Sequence, residues 1–219
     1  MRPSVFCLRV VLNGTKPPIW RRVAVPSDTT LGQLHEVIQI VMGWTDAHLH
    51  QFVLRDRGLK PSREEMARRF RDDLWDEAFL SRMRGERVFV PMRTPFGDDT
   101  ELDGEDEDAV RLAEVCPKVK SKVTYEYDFG DGWEHVIEVQ KIVEPETGVE
   151  YPVCLAGKNA CPPEDCGGVW GYDEMLTALE DPGHERHDEF IEWLGESFDP
   201  QAFDLDEVNA ALAEWRTGP

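Results

Sequence analysis

The chain has 219 residues and a formal net charge of −20, from 44 Asp and Glu against 24 Lys and Arg. A surface that acidic repels phosphate backbones and argues against general nucleic-acid binding. With 41% hydrophobic residues it can bury a core, but it has no run of about 18 apolar residues, so no membrane-spanning helix is expected.

The elements follow in chain order. Val5 to Leu12 reads as a strand, Asn13-Gly14 as a turn, and Ile19 to Val25 as a returning strand. Arg21 and Arg22 on that strand read as a rim pair. Thr30 to Met42 is a predicted helix, with Thr30 and Gln33 as a capping box, Gly43 as its stop, and Leu31, Leu34, Ile38, Val41 and Met42 as the buried stripe. His35 lies beside that stripe. Ala47 to Arg55 returns as a strand, so the start resembles the strand-strand-helix-strand order of a β-grasp half.

Residues 56–96 read as a helical insertion, with Ser62 to Glu65 as a second capping box and Val88 to Val90 as an edge strand before Pro91. Residues 55–93 hold eleven Lys and Arg against eight Asp and Glu, a local basic excess. Asp98 to Asp108 then has eight acidic residues in eleven positions. It lacks the ligand spacing of an EF-hand loop and reads as solvated. Ala109 to Val115 is a short helix, and residues 171–219 are helical, with Asp204 and Glu207 capping the last helix.

Between these lies the most informative stretch. Val123, Tyr125, Tyr127 and Phe129 alternate with Thr124, Glu126 and Asp128, and Gly130-Asp131-Gly132 breaks the run. A three-residue loop would pair Phe129 with Trp133, Tyr127 with His135 and Tyr125 with Ile137, all on one face. His135 would then point inward. Tyr151 to Gly168 follows, with three cysteines, three prolines and three glycines in eighteen residues and too little periodicity for a strand or helix.

The motifs Y-E-Y-D-F-G-D-G-W-E-H and C-P-P-E-D-C-G-G, with K-P-P-I-W-R-R-V, M-G-W-T-D-A-H-L-H-Q-F and E-W-L-G-E-S-F-D-P, resemble the Ri-plasmid ORF-three-like family. The likeness spans most of the chain. It implies a plasmid or mobile-element background and a shared fold more firmly than an activity.

Four residue sets could carry function. Cys154, Cys161 and Cys166 are separated by six and four residues, and the first interval is long for a zinc knuckle. His135, His48 or His50 could supply a further ligand. A packed, metal-free loop is the expected state, with zinc the alternative. His48-Leu49-His50 is an H-x-H step on a strand, with both imidazoles on one face. Gly167, Gly168 and Trp170 precede a helix whose first amides could meet an anion. Asp128, Asp131, Glu164 and Asp165, with Trp133 and His135, are candidates for a recognition surface. No serine-hydrolase elbow, H-E-x-x-H or dinucleotide fingerprint occurs.

The expected fold is α+β over a single domain, residues 1–219. It has a mixed, mostly antiparallel sheet, a long aromatic hairpin and a helical C-terminal third. The expected function is a non-catalytic binding or accessory module for a protein or small-molecule partner. The alternative is a metal-dependent enzyme with a His/Cys cluster; a DNA-binding accessory would rest on the Arg-rich insertion. Five cysteines in a chain that begins without an export leader favour reduced thiols in the cytoplasm.

Overall fold

A computed structural model of the protein describes residues 3–55, 60–72, 77–92, 102–195 and 198–218. Its strands are β1 (Val5–Leu12), β2 (Ile19–Pro26), β3 (His50–Arg55), β4 (Glu86–Val90), β5 (Glu105–Asp106), β6 (Lys122–Tyr127), β7 (Trp133–Val143) and β8 (Val153–Lys158). They form one sheet in the order β5-β4-β3-β6-β7-β1-β2-β8. Every pairing is antiparallel except β4 with β5. The helices are α1 (Leu31–Met42), α2 (Arg63–Asp72), α3 (Glu77–Arg84), α4 (Leu112–Val115), α5 (Gly168–Glu180), α6 (His187–Leu194) and α7 (Leu205–Thr217). The fold is thus α+β, with a mixed, mostly antiparallel sheet and helices gathered toward the C-terminus. Its start runs strand, strand, helix, strand, and β6 and β7 lie between β3 and β1.

Helix α1 forms where the sequence places it. Thr30 Oγ1 accepts from the Gln33 amide at 3.2 Å, and Gln33 Oε1 accepts from the Thr30 amide at 3.1 Å. Gly43 ends the helix at φ 89°. Leu31, Leu34, Val37, Ile38 and Val41 are buried in the core shared with β1, β6 and β7. Each such aliphatic side chain contributes about 1.5–3 kcal/mol by leaving water. Asp204 caps α7 by accepting from the amides of Asp206 and Glu207.

The hairpin register differs from the expected one. Tyr127 faces Trp133, Tyr125 faces His135 and Val123 faces Ile137. Asp128 leaves the strand at φ 54°, and its Oδ1 accepts from the amides of Gly130 and Asp131. Its carbonyl accepts from the Gly132 amide at 2.6 Å. The loop therefore runs from Asp128 to Gly132, and Phe129 is 45% exposed instead of facing Trp133. The shift is an even number of residues, so the inward face is unchanged and His135 stays buried.

Other expectations change with the packing around them. Part of the cysteine-rich stretch is a strand after all: β8 pairs with β2 across a bulge at Arg22/Val23, and that irregular, half-exposed edge erases the alternation. On the side away from β2, Asn209 of α7 accepts from the Cys154 amide at 2.9 Å and donates to the Cys154 carbonyl at 3.0 Å. The rim pair splits, with Arg22 exposed and Arg21 buried. Arg21 donates to the carbonyls of Val41, Trp20 and Lys158 and lies 4.4 Å from the centre of the Phe203 ring. β4 is not an edge strand, because β5 pairs beyond it. β5 comes from the acidic run, whose Glu105 holds Arg87 through two hydrogen bonds of 2.7 and 2.6 Å. That part of the run is therefore structured; its residues 98–101 lie outside the described residues. Helix α6 begins at His187, after a turn in which the His187 amide bonds the His184 carbonyl.

Candidate functional site

A cleft of about 430 Å³ opens where α1, the connection to β3 and the turn after β5 meet. Glu36, Asp46, Asp106, Glu107 and Asp108 line it with His35, His48 and His50. Among the described lining residues there is no Lys or Arg.

Beneath the cleft runs a closed ring of hydrogen bonds. The Asp46 amide can only donate, so Gln39 Oε1 accepts it, at 3.0 Å. Gln39 Nε2 must then donate to the Tyr125 hydroxyl, at 2.9 Å. That leaves the hydroxyl proton for His35 Nδ1 at 2.8 Å and the imidazole proton on Nε2, which donates to Asp46 Oδ1 at 2.9 Å. Burial pushes the Tyr125 hydroxyl well above its usual range. Burial raises the Asp46 carboxyl, but the His35 hydrogen bond and the neighbouring His35 and His50 imidazoles together outweigh it and hold the group below the usual range.

His50 stacks on His35 with ring centres 3.5 Å apart and planes 4° from parallel. Its Nε2 sits 3.1 Å from both oxygens of the buried Glu107. Glu107 and Asp108 reach α1 because residue 32 is glycine: a Cβ there would lie 2.2 Å from Asp108 Oδ1. Their charges then lie against the positive end of the helix dipole. Burial, with Glu107 and Asp106 beside it, raises the Asp108 carboxyl.

A second cluster sits behind His48. The chain bends there before β3 begins, so the two imidazoles of H-x-H, though both border the cleft, join different clusters. His50 joins His35, while His48 Nε2 points at Asp165 Oδ1, 3.3 Å away, and Asp128 Oδ2, 3.6 Å away. Alongside, Tyr127 accepts from the Ala47 amide and donates to Glu164 Oε1 at 2.5 Å. Glu164 Oε2 accepts from the amide and hydroxyl of Thr45. Burial raises the Glu164 carboxyl, yet the bonds from Thr45 and Tyr127 outweigh it and keep it low.

The remaining candidates have other work. Gly167 donates its amide to Asp131 Oδ2 at 3.1 Å, so the amide expected to meet an anion already holds the chain's own carboxylate. A Cβ on Gly168, at φ 67°, would lie 2.3 Å from the Asp131 carbonyl; glycine there lets the hairpin tip dock on the cysteine loop. Trp170 is 86% exposed, and Trp133 is fully buried. His135 is fully buried, with neither ring nitrogen hydrogen-bonded. Among the described residues, the sets with three possible ligand atoms mutually within 4.8 Å are His35, Asp46 and His50, and His48, Asp128 and Asp165. Cys154, Cys161, Cys166 and His135 belong to neither. Burial pushes the Cys116 and Cys166 thiols up to about 12 and raises Cys154 and Cys161 also, despite the neighbouring Arg21.

Sequence reasoning missed His35, Asp46 and Glu107. His35 had a signal, a polar residue set four after Leu31 and three before Ile38 on a buried stripe. Asp46 and Glu107 had none, one being a turn residue and the other a member of a charged run.

The arrangement defines an α+β protein with an acidic, histidine-lined cleft against its sheet. The chain belongs to the family described as plasmid pRiA4b ORF-3-like protein, which it matches over residues 4–207. It is similar to the uncharacterized protein y4hQ of Sinorhizobium fredii (strain NBRC 101917 / NGR234), with 37% identity over 98% of this chain and 96% of that one. It is also similar to the crystal structure of the protein of unknown function MM3350 from Methanosarcina mazei Go1. There the TM-score is 0.73 and the identity 33%, covering 94% of this chain and 98% of the other.

Proposed function

We propose that the protein is a non-catalytic cytoplasmic binding module, an accessory of its plasmid-associated background, and that the cleft receives a small organic cation. The observation that carries this reading is the lining: five carboxylates and three imidazoles with no Lys or Arg among the described lining residues. A volume of about 430 Å³ suits a small organic molecule better than a bare ion. Crowding of Glu107, Asp106 and Asp108 costs free energy that a bound ammonium or guanidinium group would offset.

The absence of a catalytic role draws support from how the polar groups are used. Both His35 nitrogens are engaged, one by the buried Tyr125 and one by Asp46. The Cys116, Cys154, Cys161 and Cys166 thiols are raised by burial, away from the thiolate state a nucleophile needs. Calorimetric titration at low salt with 1,4-diaminobutane tests the reading. Binding should weaken several-fold in Asp108→Asn and in Asp46→Asn, and with added salt. No heat with the diamine, but binding of a dicarboxylate of similar length, would overturn it.

A further inference from the structure

We propose that His48, Asp128 and Asp165, a cluster that shares only His48 with the cleft lining, form a site for one divalent first-row transition-metal ion. The inference does not rest on the cleft reading. Three loops supply the ligands: the connection from α1 to β3, the first residue of the hairpin loop, and the cysteine loop. One atom from each lies within 4.8 Å of the other two.

Spacing distinguishes this cluster from the one around His35. The His35 and His50 nitrogens lie 2.9 and 3.1 Å from their carboxylates, which are hydrogen-bond distances. His48 Nε2 lies 3.3 and 3.6 Å from Asp165 and Asp128. Two ligand atoms bound to one tetrahedral ion at about 2.1 Å each stand roughly 3.4 Å apart. Neither contact is a hydrogen bond: Nε2 is closed to solvent and has no hydrogen-bond partner, only the two carboxylates at ion-pair distance. A buried polar atom in that position calls for an explanation, and an ion is one.

The surroundings fit such an ion. The Asp128 side chain is only 9% exposed, and its Oδ1 is held by the Gly130 and Asp131 amides, which fixes Oδ2 toward His48. His48 packs edge-on against Tyr127, with ring centres 5.8 Å apart. Two carboxylates offset the charge of a divalent cation, and one imidazole with two oxygen donors suits zinc, cobalt, manganese or iron. The Asp165 side chain is 74% exposed, so the site faces solvent on one side and leaves a position for water.

The test is titration of the full chain, stripped with chelator, with Co²⁺, followed by visible absorption and calorimetry, with Zn²⁺ as competitor. One Co²⁺ per chain should bind, with ligand-field bands, and melting temperature should rise. Asp165→Asn and His48→Gln should each weaken binding at least about ten-fold and abolish the rise. Asp165 sits at φ 61°, a backbone state Asn accepts, so that variant should melt like the parent protein in metal-free buffer. The proposal fails if the parent chain takes up no stoichiometric Co²⁺ or Zn²⁺. It fails equally if binding survives Asp165→Asn but is lost in Asp46→Asn or Cys161→Ser, which would place the ion in the cleft or the cysteine loop.

Discussion

His135 is a residue whose environment sets a measurable pH dependence. Burial, the largest cause, pushes its pKa down from the ordinary value to about 3, against opposing contributions from the backbone of Tyr125 and Trp133. The unfolded chain takes up this proton near pH 6.5, the folded chain only near pH 3. The stabilising effect is therefore whole above about 6.5 and is lost as pH falls through that window, by up to about 1.4 kcal/mol per unit. Neither nitrogen makes a well-formed hydrogen bond, so beyond the nearby Tyr125 and Trp133 backbone the ring has little polar contact to lose. His135→Leu should keep or raise stability at pH 7.5 and lose less than the parent between pH 7.5 and 4.5, read by urea denaturation. Equal acid losses in both chains would show that His135 does not carry the linkage. The inward orientation of His135 was legible because a strand has only two faces. Its lack of partners was not, since that depends on Trp44, whose ring meets His135 edge-on at 5.3 Å from another part of the chain.

At the scale of elements, the hairpin separates what pattern encodes from what loop chemistry decides. Alternation placed β6 and β7, and capping residues placed α1 and α7, because each signal is local. The register depended on Asp128 turning left-handed, which no apolar pattern records. The two registers agree on a buried Trp133 and differ at Phe129. Trp133→Ala should cost about 3–5 kcal/mol, since the indole is fully buried against Tyr127 and Trp44. Phe129→Ala should change stability by under about 0.5 kcal/mol, because the ring lies in the loop. Denaturation midpoints of the two variants check this, and comparable losses would restore the Phe129–Trp133 pairing. Strand β8 and the cleft were illegible for a related reason. β8 takes its form from β2 and α7, and the cleft joins His35, Asp46 and Glu107 from segments up to about seventy residues apart in the sequence.

For the molecule as a whole, charge is the dominant long-range property. A net charge of −20 should repel a duplex, and the local basic excess lies in residues 55–93. Fluorescence anisotropy with a labelled duplex at about 150 mM salt should show no binding at micromolar protein. A micromolar complex with a steep salt slope would instead point to the arginines of α2 and α3. No described helix is long and apolar enough to cross a membrane. The Asn209 amide on Cys154 has a consequence beyond holding α7 in place. A sheet margin with free amides and carbonyls is a template onto which a neighbouring molecule can add its own extended segment. Here one side chain satisfies the donor and the acceptor such a segment would need first. Arg216 of the same helix occupies the Pro152 carbonyl just before β8. Self-association by strand addition at β8 would require α7 to lift away, so crowding alone does not turn this margin into a seed for polymerisation.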